Sequence, residues 1–178
     1  MATHLLIPAR YASSRLPAKP LLDETGRCLI LHVVDNVIHI PGIDSVTVAT
    51  DDQRIADVVT AAGYQAVMTR VDHASGTDRL AEAAATLGFD DDDIVINVQG
   101  DEPDIPAALV TRLAELLQTT DAPMATLATP LADEHADDPN KVKVVFTPHH
   151  KALYFSRAKL PHDRDGNHPG NHFLHIGM

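Results

Sequence analysis

The 178-residue sequence has no tryptophan, one cysteine and an aromatic content of only 4%. So few rings exclude the stacking platforms on which single-strand nucleic-acid binding depends. A lone cysteine has no internal disulfide partner, and Cys28 in Gly26-Arg27-Cys28-Leu29-Ile30 reads as a small buried hydrophobe. Cations are also scarce: 14 Lys and Arg stand against 25 Asp and Glu, a formal net charge of -11, which argues against a nucleic-acid partner. No stretch approaches the ~20 apolar residues of a membrane span and nothing resembles a signal peptide, so no membrane partner and a cytoplasmic location are expected. Neither GxGxxG nor GxxxxGK[ST] occurs, which sets aside an ordinary dinucleotide fold and a P-loop. Repeats, low-complexity tracts and linkers are missing too. With 44% hydrophobic residues, the chain is long enough to bury one sizeable core and is expected to form a single domain over 1–178.

Against this acidic background one basic loop stands out. Leu5-Leu6-Ile7 reads as a short strand buried on both faces and ending at Pro8. Arg10, Arg15 and Lys19 follow within a loop that also holds two prolines and two serines. In an open parallel sheet, ligands bind outside the carboxyl ends of the strands, so cations and backbone amides gathered after a first strand suit a polyphosphate.

Further along, apolar spacing from Leu29 to Ile40 predicts a crossover helix stopped by Pro41-Gly42. Ser45–Thr50 is β-branched and predicts a second strand, with Asp51-Asp52 capping a helix through Ile55, Val58 and Val59 to Gly63. A third strand, Gln65–Met68, leads into a polar loop and an alanine-rich helix from Leu80 to Leu87. Ser75-Gly76-Thr77 at that helix start either reads the hydrogen-bonding edge of a base or is an ordinary N-cap. The four acids Asp90–Asp93 read as a solvated turn. Ile94–Val98 is the next strand, and Asp101 just beyond it is placed to hold Mg2+ against phosphate oxygens, its alternative being a turn aspartate. A helix from Asp104 to Leu117, with Pro106 in its first turn, and a strand at Met124–Thr129 follow. Lys141–Phe146 and Ala152–Ser156 then alternate with period two, a hairpin that implies mixed pairing at the far side of the sheet. The histidines of the last segment lack cysteines and are interrupted by Pro and Gly, which speaks against zinc.

Taken together, the stretches Ile7–Leu21, Met68-Thr69-Arg70 with Asp72–Glu82, Asn97–Pro103, and Val142–Val145 with Ala152–Arg157 resemble the 3-deoxy-manno-octulosonate (Kdo) cytidylyltransferase family, the CMP-Kdo synthetases. The similarity is colinear over essentially the whole chain. It implies an α/β, Rossmann-like nucleotidyltransferase fold, a mostly parallel sheet flanked by helices with a mixed or antiparallel far part. It also implies transfer of CMP from CTP to Kdo, with Mg2+ as cofactor, for lipopolysaccharide assembly. The alternatives are a related CMP-sugar synthetase, for sialic acid for example, or a CTP-binding protein without turnover.

By the same resemblance, Arg10, Arg15 and Lys19 supply fixed positive charge, with Pro8, Ala9 and Ser14 of that loop also on the nucleotide. Asp101 carries the metal. Ser75, Gly76 and Arg79 line the cytosine and ribose side, while Gln99, Arg157, Arg164 and His175 face the acidic sugar. Members of the family continue for several dozen residues past the motif matched by His175-Ile176-Gly177, so the expectation for this chain is a domain without that C-terminal part, its second metal-holding aspartate and its dimerisation elements. A full-length chain is expected to be a homodimer.

Overall fold

The computed structural model describes residues 1–12, 16–165 and 170–178. Its contacts gather into two compact units, Met1–Pro123 with Met178, and Met124–Gly177.

In the first unit strands and helices alternate: β1 (Thr3–Ala9), α1 (Leu29–Val37), β2 (Ser45–Thr50), α2 (Gln53–Ala61), β3 (Gln65–Met68), α3 (Gly76–Leu87), β4 (Ile94–Asn97) and α4 (Ala107–Thr119). The strands are parallel in the order β3-β2-β1-β4. Leu5, Leu6 and Ile7 of β1 are fully buried, as an unbroken apolar run in a central parallel strand demands. Leu6 clusters with Ala49 and with Leu80 and Ala83 of α3. Ile7, of opposite parity, lies with Ile30 of α1 beside Gly100, so helices cover both faces.

Several boundaries differ from the sequence expectation for identifiable reasons. Strand β1 does not stop at Pro8 but runs to Ala9. The Leu6 carbonyl accepts from the Val98 amide, so Pro8, of the same parity, also faces β4; the β4 ladder ends at Asn97, and the missing proline N–H breaks no bond within it. Helix α3 starts at Gly76 rather than Leu80 because the Ser75 hydroxyl accepts from the Asp78 amide at 3.1 Å. Pro106 is the N-cap of α4 with extended ψ, not a first-turn residue, and the helix continues to Thr119, where the Thr119 and Thr120 hydroxyls donate to the Glu115 and Leu116 carbonyls. Asp93 is more than part of a solvated turn. It accepts from the Ala2 and Asp90 amides at 2.6 and 3.0 Å and tethers the start of β1 to the start of β4.

The second unit is an antiparallel sheet of its own, not a mixed continuation of the first. Strands β5 (Leu127–Leu131), β6 (Lys143–Phe146), β7 (Ala152–Ser156) and β8 (His172–Ile176) lie in the order β5-β8-β6-β7. Strand β5 falls later than Met124–Thr129 and passes through Pro130, which an edge strand tolerates. The β6–β7 hairpin forms as expected. Lys143 is fully buried, and its ammonium donates to the carbonyls of Asp138, Lys141 and Arg157 at 2.8, 2.6 and 2.7 Å, one acceptor for each N–H.

Candidate active site

With β1 between β2 and β4, the strand order reverses direction at β1, and ligands of such sheets bind outside the carboxyl ends there. The loops after β1, β3 and β4 converge at that end on a cavity of about 220 Å³, lined by Pro8, Ala9, Arg10, His73, Ala74, Ser75, Gly76, Arg79 and Gln99. Drug-sized ligands occupy roughly 300–1,000 Å³, so this cavity suits part of a nucleotide, with the remainder extending along the rim. The structure thus brings together Pro8, Ala9, Arg10, Ser75, Gly76, Arg79 and Gln99. Ser14 and Arg15 lie outside the described residues.

The two arginines of the cavity differ in state. Arg10 is exposed and makes no ion pair or hydrogen bond among the described residues. Arg79 is buried: Nη2 donates to Asp51 at 2.8 Å, and Nη1 donates to the Thr69 hydroxyl and, at 3.3 Å, to the Arg70 carbonyl. Its guanidinium is therefore mostly spent inside the protein, leaving Arg10, among the described residues that line the cavity, as the arginine available to an anion. Ser75 caps α3 and lines the cavity at once, so the N-cap and a ligand contact are compatible roles.

Lys19, in a single 3-10 turn at Lys19–Leu21, donates to Asp101 Oδ2 at 2.6 Å. Asp101 is two residues beyond Gln99, and Gly100 between them is pressed on the end of β1: a Cβ there would sit 2.8 Å from the Pro8 carbonyl oxygen. The close approach that a glycine permits at this point is therefore made by protein backbone. The expected phosphate-binding lysine and metal-binding carboxylate meet beside the cavity, each masking the other's charge.

His73 was not singled out from sequence, although it lines the cavity. Its Nε2 is hydrogen-bonded to Glu82 of α3, which also accepts from the Arg70 amide at 3.1 Å. The His73 hydrogen bond and then the Arg70 amide hold the Glu82 carboxyl below its ordinary value. The signal in the sequence was the acid nine residues on, at a helix position facing back over the loop.

The remaining expected residues belong to the second unit. Arg157 is exposed, with Nη1 donating to the Pro139 carbonyl at 2.9 Å, and Arg164 is exposed beside Asp165. His175 shares a hydrogen bond with the Thr126 hydroxyl at 2.8 Å and meets the Phe155 ring edge-on. Burial pushes the His175 imidazole below its ordinary value, so near neutrality it is a hydrogen-bonding group, not a cation.

A model of the cytidylyltransferase family matches residues 4–178. This chain belongs to the cytidylyltransferase family. Its relatives include proteins from two strains of Acinetobacter baumannii named 3-deoxy-manno-octulosonate cytidylyltransferase, each 50% identical, covering 98% and 97% of this chain and 72% and 69% of the relative. A solved CMP:2-keto-3-deoxy-manno-octonic acid synthetase in complex with CTP superposes with a TM-score of 0.90 at 42% identity, over 99% of this chain and 72% of that one. A 4-diphosphocytidyl-2C-methyl-D-erythritol synthase, 16% identical with a TM-score of 0.61, shares the fold. No helix among the described residues is long and apolar enough to cross a membrane.

Cytidylyltransferases use a divalent metal. Among the described residues no group of three or more His, Cys, Asp or Glu side chains is arranged to hold one. The donor chemistry at Asp101 fits a cation that arrives already on the nucleotide, since a hard divalent ion can take one or two protein carboxylates and complete its shell with phosphate oxygens and water.

Proposed function

We propose that this cytidylyltransferase transfers CMP from CTP to Kdo, giving CMP-Kdo and pyrophosphate in the cytoplasm for lipopolysaccharide assembly. The observation that carries the reading is Arg10, a cation without an ion pair or hydrogen bond among the described residues, at a cavity formed by three strand-end loops in a chain of net charge -11. The half-identical relatives named for Kdo direct the choice of acceptor.

In this reading the anomeric hydroxyl oxygen of the sugar bonds to the α-phosphorus, the bond from that phosphorus to the β-bridging oxygen breaks, pyrophosphate departs, and the hydroxyl proton passes to solvent. Catalysis of such a transfer is placement and charge compensation. Arg10 lies nearest the reacting phosphate, while Arg15 and Lys19 take the β- and γ-phosphates. Ser75, Gly76 and Arg79 bound the pyrimidine and ribose. Asp101 holds magnesium, Mg2+, which supplies positive charge to the phosphate oxygens. Gln99 faces the acceptor, and because His175 is neutral the sugar carboxylate is met by Arg157 or Arg164. The enzyme works as a homodimer.

Pyrophosphate release with CTP, Mg2+ and either Kdo or a sialic acid tests the assignment. Release with Kdo alone, abolished by EDTA, is the expected result. Release only with sialic acid identifies a sibling CMP-sugar synthetase, and calorimetric CTP binding without release from either acid identifies a binding protein; each overturns the proposal.

A further inference from the structure

We infer that Asp51 is a positioning residue for the nucleotide: its one carboxylate fixes the loop carrying Arg10 to the loop and helix carrying Ser75, Gly76 and Arg79. The inference rests on the CTP reading of the cavity. Strand β2 lies between β1 and β3 in the sheet, yet among the described residues it contributes nothing to the cavity lining. The first residue after β2 fills the gap between the two loops instead. Asp51 Oδ1 accepts from the Tyr11 amide at 3.3 Å, and Oδ2 accepts from Arg79 Nη2 at 2.8 Å, with the Asp51 and Arg79 side chains only 11% and 5% exposed.

The chain of contacts extends on both sides. Arg79 grips Thr69 and Arg70 at the start of the second loop, and Thr69 is itself bonded to the Thr50 carbonyl by its amide at 2.8 Å and its hydroxyl at 3.1 Å. On the other side the Tyr11 ring lies under the Arg54 guanidinium, 3.5 Å from its centroid, and Arg54 is held by Asp52 at 2.7–2.8 Å. Successive acids therefore seize Tyr11 by backbone and by ring, one residue past Arg10. A carboxylate suits this place because both its partners are donors. An amide would turn an N–H toward either the Tyr11 amide or the Arg79 guanidinium and lose that contact.

The test is steady-state pyrophosphate release by Asp51→Asn and Asp51→Glu, with CTP varied at saturating Kdo and the reverse, on protein whose far-UV circular dichroism matches wild type. The KM for CTP should rise about tenfold or more in both variants, the scale of one hydrogen bond to a charged group, with the KM for Kdo within about twofold of wild type. An unchanged KM for CTP, an equal rise in both constants, or a fall in kcat alone overturns the inference. Should the variants fail to fold, hydrogen exchange at the Tyr11 amide of the wild type decides. Protection of about two orders of magnitude over a free loop amide is expected, and exchange at the free rate overturns the strut. Wild type that releases no pyrophosphate would refute the CTP reading alone, because the amide measurement needs no substrate.

Discussion

Replacing Lys19 by methionine separates what the Lys19–Asp101 contact does for the fold from what Lys19 does for the reaction. At 2.6 Å the pair is short, but its side chains are 38% and 48% exposed. Solvent screens charges so exposed, and pairs of this kind contribute about 0–1 kcal/mol, so Lys19→Met should leave the urea midpoint nearly unmoved. In the proposed reaction a triphosphate displaces Asp101 as the partner. Lys19 then faces charge that grows on departing pyrophosphate, and loss of a preorganised electrostatic contact of that sort costs about 10²–10³ in kcat, or roughly 2.7–4 kcal/mol. Pyrophosphate release measured beside urea unfolding should show a large kinetic defect in a protein of normal stability. Turnover within about threefold of wild type refutes the phosphate role. A drop of more than about 2 kcal/mol in stability would instead make Lys19 a structural residue, contrary to the exposure of its ion pair.

Glycine substitutions on the two sides of the cavity should diverge. Gly100→Ala forces a Cβ to 2.8 Å from the Pro8 carbonyl and should cost about 1–3 kcal/mol together with most activity, whereas Gly76→Ala meets only Pro8 side-chain carbons at 3.7–3.8 Å and should fold normally with a several-fold higher KM for CTP; equal melting temperatures for the two would contradict the packing argument. Lys143→Met keeps side-chain bulk but removes the donor to three carbonyls, of which only that of Asp138 keeps a backbone donor, the Lys141 amide, and should lower stability by about 2 kcal/mol or more in denaturant titrations followed by circular dichroism, the absence of tryptophan precluding its fluorescence; a change under about 1 kcal/mol would show that the carbonyls find water. Glu82 and Asp93 sit below their ordinary values, Glu82 chiefly through His73 and Asp93 chiefly through the Ala2 amide, so the folded state binds fewer protons than the unfolded one. Their stabilisation is complete above the unfolded values near 4.5 and 3.8 and drains away as pH falls through the lower folded values. Urea midpoints should therefore decline below about pH 5, less steeply in Glu82→Gln, and an identical profile in that variant would remove Glu82 from the account.

Strands β2 and β3 were legible to the residue because a short β-branched or apolar run bounded by turn formers has few other solutions. Pro8 misled as a strand end, since proline stops a strand only where the ladder needs its N–H. Strand β8 went unread because its alternation is written partly in histidine: His172 is buried, its Nδ1 2.6 Å from the Leu160 carbonyl oxygen, where a pattern search looks for an apolar residue. The cavity lining was legible where a loop follows a strand end. The pairing of Arg79 with Asp51, twenty-eight residues away, was not, because an ion pair between loops on different strands leaves no local pattern. Arg79 therefore reads as a ligand by the family resemblance and as a strut from its neighbours in space.

The acidity of the chain and the anionic character of a nucleotide are reconciled by where the charges end up. Beyond about 8–10 Å at physiological salt the net charge of -11 is screened, so binding is decided by the few groups at contact. Around the cavity three acids are already covered: Asp51 by Arg79, Asp52 by Arg54, Asp101 by Lys19. Of these pairs, Asp51–Arg79 is buried and costly to break, while Lys19–Asp101 is exposed and contributes little. In the proposed reading a triphosphate carrying a divalent cation would offer Lys19 a phosphate and Asp101 a metal in exchange for one another, so both charges would be satisfied before and after binding. Arg10, with no partner to give up among the described residues, would add its attraction undiminished, and the buried pair would keep the loops that present it in register while the exposed one opened.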